Sequence, residues 1–336
     1  MRLRWGMSGI LILILLTVLG GSAPAAVPRT MSLATPVAGS LYNAIGTGLA
    51  TVISRNLPTT VRVQTYAGPP AWLPSMESGD TELGVLTSAD AVTSYKGIVI
   101  YKKPFKNTRI LVVGGSLKLG FYVTKNSQIQ TVADLKGKKI PTDFPGAPSV
   151  RLSSTAGLAT AGLTYSDIIK VPVSDLNAGA QAFLEGRTDA GWHTVGSPAL
   201  EEANARIGGG IRFIPVVSTP EAAQRMGEIY PGSYPSVLKA GSATGVVKDT
   251  IFLTNDIYMV AAKTLSDEAA YETVKVLWEK NQELGPVHPA LREWTRDRMV
   301  SDKAFIPYHP GAIRFFKEKG LWNQEMDLLQ AKLLKE

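Results

Sequence analysis

Two periodicities take turns along this chain. Residues 30–35 read as a strand that Pro36 and Gly39 end, and Leu41, Ile45, Leu49, Val52 and Ile53 then recur at helical spacing over 41–53. A second strand is expected over 61–66, closed by Gly68-Pro69-Pro70, then a helix around 71–77 and a strand through Val85. Strand-helix-strand-helix-strand is the signature of a doubly wound α/β unit. Two separate strands are expected at 110–113 and 119–123, with Gly114, Gly115 and Gly120 interrupting them. Residues 131–137 predict a short helix, with Thr131 and Asp134 as a capping box and Gly137 as the stop. The rhythm then restarts: strand 139–142, helix 149–159, strand 168–171, helix 177–184 and a strand through Trp192. Residues 218–247, rich in Pro, Gly and Ser, are expected to be irregular with short strands. One or two strands over 250–261 follow, then helices at 267–283, 289–298 and 312–319 with no strands between them.

The restart is marked by a doubled turn. ESGDTELGV (77–85) and LEGRTDAGW (184–192) align Gly79 with Gly186, Thr81 with Thr188, Glu82 with Asp189, and Gly84 with Gly191. Each copy reads as a glycine-capped helix end, a tight acidic turn and a buried strand. Two copies predict two similar α/β lobes, and the late helices are expected to return to the first. The division is then residues 27–118 plus 250–336 as lobe 1 and 119–249 as lobe 2, with two crossovers forming a hinge. The acids of the turn are expected at the far end of their strands from any ligand.

Composition adds the compartment. Arg2 and Arg4, the apolar stretch 10–19, and Ala23 and Ala25 predict a signal peptide over 1–26, cleaved after Ala25 or Ala26. The apolar stretch is shorter than the roughly 20 residues a membrane span needs. The chain has no cysteine, which excludes disulfides, thiol catalysis and a lipid-anchoring cysteine at the cleavage site. A monomer diffusing freely in the periplasm is the expectation. The formal charge of +7 becomes +5 without Arg2 and Arg4. Its lysines and arginines are scattered, with no run longer than two, so no nucleic-acid partner is expected.

Ligands of open α/β sheets bind beyond the carboxyl ends of the strands, at helix N-termini. That rule selects the loops 35–42, 68–72, 87–89, 144–149 and 193–196, which are rich in Ser, Thr and Gly. Their hydroxyls and free N–H groups suit a carboxylate or another small anion. Aromatic residues at these loops, Tyr42, Trp72, Phe144 and Trp192, are candidates to line a cleft. Catalytic patterns are scarce: HExxH, GxSxG, a P-loop and a metal-spaced His/Asp cluster are all missing from the sequence. His288 and His309 adjoin prolines at helix starts and read as structural. No enzyme activity, cofactor or metal is therefore expected.

The chain resembles the TAXI-type solute receptors of tripartite ATP-independent periplasmic (TRAP) transporters. The resemblance runs from about Met31 to Trp322, on GSLYNAIGTGLA (39–50), the 77–85 turn, TVADLKGKKI (131–140), AGLTYSDI (161–168), LEGRTDAGWHTVGSPA (184–199) and HPGAIRFFKEKGLW (309–322). DLKGKK is shared by many binding proteins, whereas the ordered series with the C-terminal motif is specific. The resemblance implies a two-lobe periplasmic-binding-protein fold, type II-like, that closes on a small organic acid. It also implies delivery to a TRAP membrane permease driven by an ion gradient. Relatives are associated with glutamate and related dicarboxylates. The family's pocket loops map onto Ser40, Tyr42, Thr87, Ser88, Ser149, Trp192 and His193; with Thr35, Trp72 and Phe144 these are the expected ligand-binding residues. Two departures bear on the solute. Pro145-Gly146-Ala147-Pro148-Ser149 stands where the family has Ser-Gly-Thr or similar, and Gly68-Pro69-Pro70 where it has Gly-Ser, removing two N–H donors. Both weaken an amino-acid-like anion site and favour a bulkier or more apolar acid. The alternatives are a ligand-presenting accessory of a periplasmic sensor and an ABC-type receptor.

Overall fold

A computed structural model describes residues 27–336; the expected signal peptide lies outside them. The first unit is β1 (Thr30–Pro36), α1 (Leu41–Asn56), β2 (Thr60–Tyr66), α2 (Pro69–Ser78), β3 (Leu83–Thr87) and α3 (Ser88–Lys96). A long strand β4 (Thr108–Thr124) leads to the second unit: β5 (Lys139–Asp143), α4 (Pro148–Ala159), β6 (Ile169–Val173), α5 (Leu176–Leu184), β7 (Gly191–Thr194) and α6 (Pro198–Arg206). Then come β8 (Ile211–Phe213), α7 (Pro220–Ile229), β9 (Tyr234–Leu238) and a second long strand β10 (Thr250–Ala262). The chain closes with α8 (Asp267–Glu279), the short α9 (Leu284–Val287), α10 (Pro310–Glu318) and α11 (Gln324–Leu333).

Both units use β1-type parallel pairing. β1 pairs in parallel with β2 and β3, and β5 pairs in parallel with β6. The strands β4 and β10 run antiparallel to each other and serve both units. The stretch 257–261 of β10 pairs with β3, while its beginning pairs with β9. Likewise the end of β4 pairs with β7 and β8. A register shift between Asp256 and Tyr258 separates the two halves of the ladder, a local break of the kind that bends a strand.

The doubled turn is built alike in both copies. Gly79 (φ 88°) and Gly186 (φ 69°) take the left-handed conformation that ends a helix. Glu82 accepts the backbone N–H of Ser32 at 2.8 Å, and Asp189 accepts that of Lys139 at 2.8 Å. Each acid thus ties the start of its buried strand to the start of the first strand of its unit. Behind them, Gly84 lies under Trp72, where an added Cβ would stand 2.7 Å from the ring, and Gly191 lies under Tyr122.

Several expectations change. Residues 110–113 and 119–123 belong to one strand, because the glycines between them make room for rings rather than breaks. Trp294 covers Gly114 and Phe252 covers Gly120. The stretch expected to be irregular contains α7, capped by Thr219, whose side chain accepts Ala222 N–H, with Pro220 in the first turn. Residues 289–298 form two 3-10 turns instead of one helix. Helices α3, α6 and α11 were not anticipated by periodicity. The capping box of Thr131 and Asp134 is present.

Candidate ligand-binding site

The carboxyl ends of β1, β2, β5 and β6 and the N-termini of α1, α2, α4 and α5 converge on one cavity of about 260 Å³. The first unit lines it with Ser40, Tyr42 and Gly68-Pro69-Pro70, and the second with Gly146 to Val150, Asp175 to Asn177, His193, Thr194 and Ser197. Leu117 and Leu119 of β4, Ser153 of α4, Asp90 of α3 and Tyr230 after α7 complete the wall.

The sequence turns into geometry at each loop. Ser40 (ψ 153°) caps α1, its hydroxyl accepting Asn43 N–H at 3.2 Å and donating to Val37 C=O at 2.7 Å. That places Tyr42, in the first turn of α1, on the cavity. After β5, Asp143 (φ 73°) and Phe144 (φ 47°) are both left-handed, an uncommon pair for side-chain-bearing residues. Phe144 is thereby buried against Val173 and Ala182, and the chain turns so that α4 starts at the cavity.

Ser149 reaches across to the first unit. Its hydroxyl donates to Asp90 Oδ1 at 2.6 Å, while Thr87 Oγ1 donates to Asp90 Oδ2 at 2.9 Å and accepts Asp90 N–H at 3.0 Å. Burial is the main cause that raises the Asp90 carboxyl above its ordinary range, and these hydroxyls partly offset it. Burial, and then the charge of Asp90, pushes the phenols of Tyr42 and Tyr230 up as well. A second bridge is Ser88 Oγ donating to Gly232 C=O at 2.8 Å.

His193 is buried and held neutral. Its Nδ1 accepts Thr194 N–H at 2.9 Å and lies 2.9 Å from Ser197 Oγ. The N–H donor fixes Nδ1 as an acceptor, so the ring proton sits on Nε2, which has no partner among the described residues. Burial pulls its pKa down to about 4. Ser197 lies beside His193, yet a nitrogen already accepting a backbone N–H, with so low a pKa, is a poor base for activating that hydroxyl. Among the described residues no group of His, Cys, Asp or Glu is disposed to hold a metal ion.

Of the expected ligand residues, Ser40, Tyr42, Ser149 and His193 line the cavity. Thr35, Trp72, Thr87, Ser88, Phe144 and Trp192 do not; all six are fully buried. Thr35 accepts Asn43 Nδ2–H at 3.0 Å and braces the α1 loop from behind. Trp192 donates to Ser153 Oγ at 3.1 Å and packs on Phe121 at 4.6 Å between centroids. Thr87 acts through Asp90, and Ser88 through Gly232. The large aromatics beside the loops fill space over small residues, Trp72 over Gly84 and Trp192 over Gly157, instead of lining the cavity. Asp90, Tyr230 and Asp175 were missed. The Thr87-x-x-Asp90 capping pattern after a strand was the available signal for the first.

Comparison with known proteins places the fold. A periplasmic transporter of known structure superposes with a TM-score of 0.54 at 12% identity, covering 91% of this chain and 97% of its own. A protein from Bordetella bronchiseptica RB50 gives 0.51 at 15% identity, covering 91% and 98%. The periplasmic aliphatic sulphonate binding protein SsuA from Escherichia coli gives 0.44 at 17% identity, covering 92% and 100%. The architecture is the α/β fold of periplasmic binding proteins. Residues 33–320 match one family model, and on that match the chain belongs to the NMT1-like family.

Proposed function

We propose that the protein is an extracytoplasmic solute-binding protein that closes two lobes around a small, largely apolar organic solute and hands it to a membrane permease. The observation that carries this reading is the cavity itself, walled jointly by loops of both units and bridged by Ser149 and Asp90. Family and fold support it. The lobes are residues 27–118 with 250–336 and residues 119–249, and the two crossovers in β4 and β10 form the hinge, near the register shift at Asp256 to Tyr258. A solute that touches both lobes binds only the closed form and shifts the population toward it. The poorly basic His193 beside the Ser197 hydroxyl favours binding over turnover.

The resemblance to TAXI receptors supports a TRAP-type permease as partner. Its most specific motif, 309–322, serves packing: Gly311 of α10 sits against the backbone of Asp267, and His309 Nε2 lies 3.0 Å from Leu265 C=O. An ABC-type permease is the second reading, favoured by the same fold. Proteoliposomes carrying the partner permease separate the two. Uptake that needs this protein and an ion gradient supports the first, and uptake that needs ATP supports the second. A thermal-shift screen of the mature protein tests binding itself, since a ligand of the native state alone raises Tm. Turnover of a bound compound would refute the binding-protein reading. The organic-acid expectation rests on the resemblance and on the hydroxyl-rich loops.

A further inference from the structure

The charge of the cavity wall points to a property of the solute. Its described lining carries two carboxylates, Asp90 and Asp175, and neither lysine nor arginine. Asp175 is occupied as the cap of α5, accepting Ala178 N–H at 2.9 Å and the Ser174 hydroxyl at 2.9 Å. Asp90 is the more buried of the two. It is 5% exposed, each of its oxygens accepts one hydroxyl from Ser149 or Thr87, and no Lys, Arg or His among the described residues pairs with it. A carboxylate offers about four lone-pair sites, so acceptor capacity remains on both oxygens. A buried carboxylate without a counter-ion is unfavourable, and a ligand cation is the natural source of one.

Two tyrosines share the cavity wall with Asp90. Tyr42 and Tyr230 line the cavity, and both phenols feel the charge of Asp90. The Tyr101 phenol also feels it, from a buried hydroxyl with no partner among the described residues. An acid among phenol hydroxyls offers an ammonium group a charge partner and oxygen acceptors. The features that favour an anion are weakened in turn. Pro69 and Pro70 at the start of α2, and Pro148 at the start of α4, bring no N–H to the cavity, and Asp175 covers the start of α5.

Resting on the reading of this cavity as the solute site, we propose that the solute carries a positively charged nitrogen that seats against Asp90 beside Tyr42 and Tyr230. A zwitterion qualifies, its carboxylate facing the free first-turn N–H groups of α1. A simple organic acid does not.

The test is calorimetric titration of the mature protein with matched probes. The sets are benzylamine, benzyl alcohol and benzoate; choline, 3,3-dimethylbutanol and 3,3-dimethylbutyrate; and phenylalanine with 3-phenylpropionate. In each set that binds, the member with the positive nitrogen is expected to bind at least tenfold tighter. Asp90→Asn should remove at least tenfold of that advantage and keep or raise the Tm of the unliganded protein. Affinity for the cation should also fall as pH is lowered through the titration of Asp90, and do so only in the wild type. The three phenols that feel the charge of Asp90 stay neutral there, since burial raises all of them. Tighter binding of the carboxylates, or cation affinity unchanged in Asp90→Asn, overturns this proposal and leaves the solute-binding reading standing. Binding by no member of any set overturns the solute-site reading as well.

Discussion

The two ends of the same strands behave differently. At the base, the first and second units repeat one device: Glu82 holds Ser32 N–H and Asp189 holds Lys139 N–H, across the same sequence separation of 50 residues. At the cleft end the units diverge. Ser40 caps α1 with its side chain, whereas α4 begins at Ala147 with no side-chain cap and Pro148 in its first turn. β3 leads to Thr87 and the buried Asp90, whereas β7 leads to the neutral pair of His193 and Ser197. The lesson is that the repeat encodes the folding unit, and the cavity wall is built where the repeat fails. A doubled motif in such a chain points away from its site.

The largest effect expected from breaking this comparison lies behind the cleft. Trp192→Ala should cost about 3–5 kcal/mol, the range for removing a large buried aromatic, measured by denaturant unfolding. Weakened solute binding with unchanged stability would instead place Trp192 in the cleft. The next effect is pH-dependent. His193 has a folded pKa lowered to about 4 from 6.5, so the unfolded chain binds the extra proton first as pH falls. Its contribution is complete above 6.5 and lost between 6.5 and about 4, by about 3 kcal/mol. His193→Gln should flatten that part of the stability profile. Asp90 works the other way, since its raised pKa favours the protonated folded form as pH falls toward the carboxylate range.

The base acids sharpen the comparison directly. Glu82→Ala, which strands the partly buried Ser32 N–H and hydroxyl, should cost about 1–2 kcal/mol. Asp189→Ala, at an exposed acceptor of one N–H, should cost about 0.5–1 kcal/mol. Equal losses would mean that burial does not grade the two copies. The smallest contrast is at the helix starts. Ser40→Ala should cost about 1 kcal/mol, while Ala147→Ser should stay within about 0.5 kcal/mol, because Ala147 (φ −145°, ψ 73°) lacks the extended geometry of a capping residue.

Much of this was legible in the sequence because it is local. Periodicity located α1, the glycines and acids located both base turns, and Thr131 with Asp134 announced their capping box. The loops after the strands are local features, and Ser40, Tyr42, Ser149 and His193 of those loops line the cavity. What escaped depends on distant partners. Gly114 looked like a strand break until Trp294, far along the chain, filled its space. Trp72 and Trp192 looked like cleft residues because local sequence shows a ring beside a loop but not the glycine waiting beneath it. The Thr87-x-x-Asp90 pattern is local, but the place of Asp90 at the cavity is not: its partner Ser149 stands 59 residues away.

The central claim is that the cavity walled by both units is where the solute binds. Ala147 lines its wall and is partly exposed, so a large side chain there plugs the cavity without disturbing the core. Take the solute that most raises Tm and titrate it calorimetrically into the wild type and Ala147→Trp. The account predicts one site in the wild type, with the negative heat-capacity change of apolar burial, and at least a tenfold loss of affinity in the variant at unchanged Tm. Equal affinity in the two proteins would contradict it.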